Sequence, residues 1–567
     1  MSTHARPLAE WLAAASDADL AALFAARGVR ADATWQDFFD SAEALLDAAS
    51  VTKAVQTLTG AEASALLRAA SGAVDDGPER ATLTALGLLR PDGAPWPPVA
   101  AIVTGRPLPE QADELTPAES GDVAAAHAAE RAFTTVSAIA DLLLLARERP
   151  FSLLAGGNIS AGEKRQLVEA GMPTDSVDPL IAIALAARLA VVEERRLRTT
   201  TRAEDWLRAS VAERWRVLVT GFRDALPRGV RRGAGWTPVD SWPLAHPWDP
   251  AWADRSSALM EHARLLGLTA DDDTEPAWSG PVRRGEAVDA TALTELLPVE
   301  VDRIFLQNDL TAIAPGPLAP ALDVRLRTVA ARESAAQASS YRFTSESIAH
   351  GLVVGETETS ILDFLETLSL TGIPQPLRYL VSQTAQRHGL VRVSTDAETG
   401  RTRIESADHH LIEALAVDQG LRPLALAKHV GSLSTRVGRD TVYWALTDAR
   451  YPATLVDEDG AVITGDRHPL AEPAPAPPPD HTRLITALRA HQGPDADAAW
   501  LDRELEAAVR ARAVLRVTVG MPDGSTRELL LEATGLGGGR LRGRDRAADV
   551  ERTLPVSSIR AASIVAP

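Results

Sequence analysis

The sequence predicts an α+β fold, mostly helical, and three observations carry that prediction. Apolar residues recur at i, i+3, i+4 spacing over several stretches, as on helices with one buried face. Such helical runs are repeatedly followed by short apolar segments around a turn, which is the order of a winged helix. Beyond a proline-rich stretch near residue 470, short alternating segments joined by Asp523-Gly524 and Gly537-Gly538-Gly539 read as strands of a small β-barrel. The predicted architecture is tandem winged-helix-like domains, a small α/β domain and a C-terminal small β-barrel.

A chain of 567 residues is too long for one hydrophobic core. Residues 1–107 form the first winged-helix-like, helical segment. Leu8, Trp11 and Leu12, then Leu20, Leu23 and Phe24, repeat at helical spacing, and a second amphipathic run covers 51–70. Gly77 and Pro78 open a helix over 79–89, and 88–93 is a strand entering a turn. Residues 125–290 form the second. It has helices over 128–147, 160–170 and 175–189, and Ser160 with Glu163 makes a capping box at the start of the middle one. A strand and basic turn follow over 191–201, then helices over 203–225 and 251–266 in a tryptophan-rich stretch with no assigned fold.

Residues 291–467 change character. Two apolar runs, 304–307 and 310–315, flank Asn308-Asp309 as a strand pair, and a helix runs through 318–336. A winged helix occupies 341–405, with helices over 344–351, 358–369 and 376–388, the last ended by Gly389. Its wing pairs 390–393 with 402–404 across 396–400. An α/β part covers 406–467, with a helix over 439–449 and a hairpin at 457–460. Residues 468–480 hold Pro469, Pro473, Pro475, Pro477, Pro478 and Pro479 and form an extended linker. The barrel domain, 481–567, has a helix over 501–512 and strands over 514–519, 527–532, 540–543 and 552–556.

The run Phe305-Leu306-Gln307-Asn308-Asp309-Leu310-Thr311-Ala312-Ile313-Ala314-Pro315-Gly316-Pro317-Leu318 resembles a signature of actinobacterial helicase-associated proteins. These share the N-terminal domain of the repair helicases named for xeroderma pigmentosum group B. Tyr341-Arg342-Phe343-Thr344, Pro374-Gln375-Pro376-Leu377-Arg378-Tyr379-Leu380 and Arg387-His388-Gly389 match the second block of that domain. Leu153-Leu154-Ala155-Gly156-Gly157 and Leu8-Ala9-Glu10-Trp11-Leu12 fit its N-terminal part. The resemblance implies nucleic-acid work, in DNA damage recognition or in partnership with a helicase. The C-terminal segment resembles a divergent WYL domain, a small barrel of bacterial regulators that senses ligands or nucleic acid. Gly539-Arg540-Leu541 stands near the place of its naming triplet.

Several chemistries are excluded. The chain has no cysteine, so disulfides, thiolate metal sites and cysteine nucleophiles are ruled out. The segment Gly157-Asn158-Ile159-Ser160-Ala161-Gly162-Glu163-Lys164 approaches a phosphate loop, but Glu163 stands where lysine is required. Gly535-Leu536-Gly537-Gly538-Gly539-Arg540 puts Arg540 where a dinucleotide fingerprint needs glycine, and reads as a turn between strands. No Gly-x-Ser-x-Gly elbow or His-Glu-x-x-His pair occurs. His409-His410, Asp271-Asp272-Asp273 and Asp457-Glu458-Asp459-Gly460 read as helix start, polar loop and hairpin turn. No enzyme activity, cofactor or metal is expected. Neither a signal peptide nor a membrane span is read, and a cytoplasmic protein is expected.

The remaining signal is basic surface in a chain of net charge -19. Between 195 and 232 there are 11 arginines against 4 acids, and Arg195, Arg196, Arg198 and Arg202 are candidate phosphate contacts. A solvated helix face or an interdomain salt-bridge network would account for the same run. On the 376–388 helix, Arg378, Gln383 and Arg387 suit base edges and phosphates, with Gln386 beside them and Arg401 and Arg403 on the wing. Many winged helices bind only protein. Arg540, Arg542 and Arg544 alternate and share a face, with Arg546 if the strand extends that far. The expected function is a non-catalytic, DNA-binding accessory or regulatory protein of repair or transcription, with a helicase or polymerase partner. The alternative is a scaffold that binds such a partner without touching DNA.

Overall fold

The computed structural model describes residues 5–73, 76–109, 116–169, 172, 177–335, 338–473, 479–492, 494–521 and 524–564. It is a mixed α/β chain with several separate sheets, in which helix outweighs strand. Pro475, Pro477, Pro478, Asp175 and Asp523 lie outside the described residues. No helix among the described residues is long and apolar enough to cross a membrane.

The N-terminal bundle contains the helices Ala5–Ala14, Asp17–Ala26, Phe38–Leu46, Ala48–Gln56, Gly60–Ala70, Pro78–Ala85 and Pro97–Val103. The amphipathic run over 51–70 is two helices because Thr59 starts a new one. Its hydroxyl accepts from the Glu62 N–H and the Glu62 carboxylate accepts from the Thr59 N–H. The strand expected over 88–93 is a single antiparallel bridge, Leu89 to Pro95. Buried Arg27 ties the bundle together, donating to the carbonyls of Leu86 and Leu45 at the ends of two helices. Desolvation pulls its pKa down to about 10. The core is completed from the far end of the chain by Leu484, Ile485 and Leu488 of the helix Thr482–Ala490 and by Trp500 of the helix Pro494–Ala511.

The next core is formed by residues 128–293. Its element order is helix Asp122–Glu148, strand Phe151–Ser152, helices Ala161–Glu169 and Val177–Ala186, then strands Ala190–Glu193 and Arg196–Thr199. The last strand is central, with Leu197 facing Phe151 on one side and Val192 on the other. Glu194 and Arg195 form the turn, both at positive φ. Only half of the expected capping box exists. Ser160 accepts from the Glu163 N–H, but the Glu163 side chain turns to Arg149 and to the Ser152 N–H.

The tryptophan-rich stretch packs over this unit as helices Thr201–Arg208, Val211–Ala225 and Trp252–Leu265, with Trp215, Trp236, Trp242 and Trp252 buried. Their indole N–H groups at 215, 242 and 252 donate to the carbonyls of Leu266, Thr237 and Trp242. Gly221 lies so close to the end of the helix Val177–Ala186 that a Cβ there would sit 2.4 Å from the Ala187 Cα. Gly221→Ala is expected to destabilise by about 1–3 kcal/mol through overpacking, measured by urea unfolding. An unchanged midpoint would show that the two helices part easily.

A third core spans 304–381. Strands Phe305–Leu306, Thr311–Ala314, Ser339–Arg342 and Ala331–Ala335 lie side by side in that order, all antiparallel, with Phe305 opposite Ile313. The helix expected over 318–336 ends at Val329, where Ala330 turns extended and the chain enters the edge strand. Arg327 and Arg332 on that segment both pair with Asp141 of the helix Asp122–Glu148. Helices Ser345–Val353, Glu358–Leu368 and Gln375–Arg387 follow. The hairpin Val391–Thr395 and Thr402–Glu405 then runs antiparallel, with Thr395 opposite Thr402. This hairpin is the middle of a six-stranded sheet, because Val391–Thr395 also pairs in parallel with Ala453–Val456 and Thr402–Glu405 pairs with Ser432–Thr435.

The C-terminal sheet corrects the expected barrel. Strands Val514–Gly520, Thr526–Gly537, Arg540–Asp545, Val550–Pro555 and Ile559–Ile564 form a five-stranded antiparallel sheet with Val550–Pro555 and Ile559–Ile564 as its two edges. Closure would require those two edges to meet. Instead, Ile559–Ile564 returns to pair with Val514–Gly520, and the inner face is covered by Leu501, Leu505 and Ala508 of the helix Pro494–Ala511. The sheet is open among the described residues.

Candidate nucleic-acid interface

Most of the basic run between 195 and 232 is engaged within the fold. Arg214 is buried, donating to the carbonyls of Trp206 and Leu207. Arg208 pairs with Glu204 at 3.0 Å, Arg216 with Glu213, Arg223 with Asp224 at 3.4 Å, and Arg228 with Glu62 at 3.1 Å. Arg231 donates to the carbonyls of Leu226 and Asp224. Each of these guanidiniums has a partner within the fold.

Four candidates sit at or beside the 190–199 hairpin. Arg195 is exposed at the turn and its Nε is 3.4 Å from the Leu153 carbonyl. Arg196 and Arg202 are exposed and form no ion pair among the described residues. Arg198 is half-buried, pairs with Glu193 and donates to the Pro469 carbonyl. The start of the proline-rich segment therefore lies along this hairpin. Thr201 N–H donates to the Ala471 carbonyl and Ala471 N–H to the Thr199 carbonyl, each at 2.9 Å. His468 is held below the usual histidine pKa by burial and then by the nearby positive charges of Arg467, Arg196 and Arg198.

The third helix of this unit, Val177–Ala186, has no exposed residue. The helices Val211–Ala225 and Trp252–Leu265 pack against it.

The helix Gln375–Arg387 is arranged oppositely. Leu377 and Val381 are fully buried, while Gln375, Arg378, Tyr379, Gln383, Gln386 and Arg387 are exposed. Arg378 is 3.7 Å from Glu366, a loose contact, and Arg387 has no ion pair among the described residues. Tyr379 is 66% exposed and its hydroxyl accepts from the Gln383 amide at 3.3 Å. Burial keeps His388, which ends the helix, below its ordinary pKa, so it adds no charge near neutral pH. On the hairpin, Arg401 is half-buried without an ion pair among the described residues, and Arg403 is exposed but 2.7 Å from Glu405.

On the C-terminal sheet, Arg540, Arg542 and Arg544 alternate with buried Leu541, Gly543 and Asp545 and share the outer face. Arg546 lies beyond the strand and is 3.5 Å from Glu532. Arg544 pairs with Asp549 at 2.7 Å, whereas Arg540 and Arg542 have no ion pair among the described residues. The three predicted groups thus occupy three different sheets or helices. Tyr379 was not singled out by composition, although helical spacing from Leu377 places it outward.

Residues 304–429 match the model of the helicase conserved C-terminal domain. No curated protein matches the chain. The match makes this segment similar to a helicase domain, and it contains both the helix Gln375–Arg387 and the hairpin carrying Arg401 and Arg403. The resemblance drawn from 305–318 pointed to an N-terminal domain of repair helicases, while the matched model is a C-terminal one. Relation to helicases is what the two share.

Proposed function

We propose that this chain is a non-catalytic, nucleic-acid-binding accessory or regulatory protein related to DNA repair helicases, acting in the cytoplasm beside a helicase or polymerase. One observation carries this reading. Within the helicase-related segment, a helix held by Leu377 and Val381 leaves Arg378, Gln383 and Arg387 in solvent, and the chain continues into a hairpin bearing Arg401 and Arg403. Three helices followed by a hairpin is the winged-helix order, and the 122–199 unit has the matching order with a central third strand. In that unit the hairpin offers Arg195 and Arg196, with Arg202 just beyond it, while Arg198 would have to leave Glu193 to join them. Arg540, Arg542 and Arg544 offer a further contact on the C-terminal sheet. A motorless role is supported at the loop nearest to a phosphate loop. There Lys164 is bound to Asp178 and Glu163 to Arg149, which leaves neither side chain for a nucleotide.

The test is fluorescence anisotropy with a duplex of about 30 base pairs. Binding is expected at about 50 mM salt, falling steeply as salt rises. The pair Arg378→Ala and Arg387→Ala should reduce the salt slope by about two, while Arg208→Ala and Arg216→Ala leave it unchanged. No binding at about 50 mM salt would overturn the reading. The net charge of -19 and the neutralised arginines favour a second reading, a scaffold for a helicase or polymerase without DNA contact. Co-purification of such a partner by a chain that ignores duplex would select it.

A further inference from the structure

The helix Gln375–Arg387 contains no acidic residue, although the chain as a whole carries net charge -19. Successive residues rotate by about 100° around a helix axis. With Leu377 and Val381 facing the core, Tyr379 and Gln386 point almost directly away from it, and Gln375 and Gln383 border them. Arg378 and Arg387 fall about a quarter turn to either side of that outer stripe. The outward surface is therefore a neutral strip of amides and one phenol, edged by a guanidinium on each flank.

We propose that this strip reads base edges in the major groove of duplex DNA, with Arg378 and Arg387 holding the phosphates on the two borders of the groove. The proposal rests on the nucleic-acid reading above and assigns roles within it. A major groove admits one α-helix, and amide side chains match the paired donor and acceptor of adenine. Gln383 is the best placed reader. Its amide nitrogen carries two N–H groups, and the Tyr379 hydroxyl accepts one of them at 3.3 Å. With Tyr379 taking the N–H that lies trans to the amide oxygen, the other N–H and the oxygen would present together the pattern that adenine N7 and N6 require. Tyr379 acts here as a positioning residue. The absence of acidic residues from the helix and the guanidinium on each flank favour a polyanionic partner.

The test selects from a duplex library with a randomised centre, using the full chain, and then compares the enriched duplex with a scrambled one. Adenine-containing cores are expected to be enriched. Gln383→Ala should cut the preference for the enriched duplex about 10-fold and leave scrambled binding intact. Tyr379→Phe should weaken the preference less than Gln383→Ala does. Arg387→Ala should weaken both duplexes alike and lower the salt slope by about one. Binding without any enriched sequence, or the same consensus selected by Gln383→Ala and Gln386→Ala, would overturn this inference while leaving the nucleic-acid reading in place. Failure of the unmodified chain to bind any duplex would overturn both.

Discussion

Trp500→Ala is expected to destabilise the N-terminal bundle by about 3–5 kcal/mol, the usual cost of emptying a buried aromatic site. Trp500 lies in the bundle core and its indole N–H donates to Asp37 Oδ2 at 3.1 Å. The same Asp37 side chain caps the helix Phe38–Leu46 by accepting from the Asp40 N–H at 3.0 Å, and it lies 3.4 Å from Arg503. One substitution therefore opens a cavity and removes a donor from the carboxylate that starts a core helix. Amide hydrogen exchange reads the result locally. Protection should fall in Ala5–Ala14 and Phe38–Leu46 while the strands over 391–456 keep theirs. Equal loss everywhere, or no loss in the bundle, would contradict the packing. Trp500→Phe keeps much of the apolar volume and should recover part of the protection.

That tie between Trp500 and Asp37 spans 463 positions, and it marks where sequence reasoning stopped. Helical spacing located the helices around Leu8, Leu20, Glu358 and Pro376, because each depends on residues three or four apart. The hairpin pairing Thr395 with Thr402 was legible for a similar local reason, with Val391, Val393 and Ile404 buried at alternate positions. Long-range partnership leaves no such trace. Nothing in 501–512 says that its helix serves two cores, nor that the last strand pairs with Val514–Gly520 and leaves the sheet open. The arginines of 195–232 are a different case. Glu204 with Arg208 and Glu213 with Arg216 stand at ion-pair spacing on helices, so their neutralisation was readable. The burial of Arg214 against Trp206 was not. Only the folded chain separates the buried Arg214 from the exposed Arg196 and Arg202.

The same shared helix yields the second large effect, through Glu504. Its side chain is buried with one carboxyl oxygen lacking any hydrogen-bond partner, and the nearest cation, Arg6, is 3.8 Å away and already bound to Glu10 at 3.0 Å. Desolvation outweighs the attraction of Arg6, and Glu10 adds repulsion, so the pKa is pushed up from the ordinary 4.5 to about 7. The folded chain therefore keeps a proton that the unfolded chain releases. Stability from this group is complete below pH 4.5 and is lost as pH rises through about 7. Glu504→Gln keeps the shape and removes the charge. Above pH 7 it should stabilise the contact between bundle and shared helix by on the order of 3 kcal/mol. Near pH 4.5 the variant and the parent should converge, since both then present a neutral group. Amide hydrogen exchange of the helix Ala5–Ala14, followed in urea from pH 4.5 to 8, measures the difference. A gap that stays constant with pH would mean that Glu504 ionises freely and that its burial costs nothing. A gap that closes on acidification would place the titrating carboxyl at the junction of Ala5–Ala14 with Pro494–Ala511.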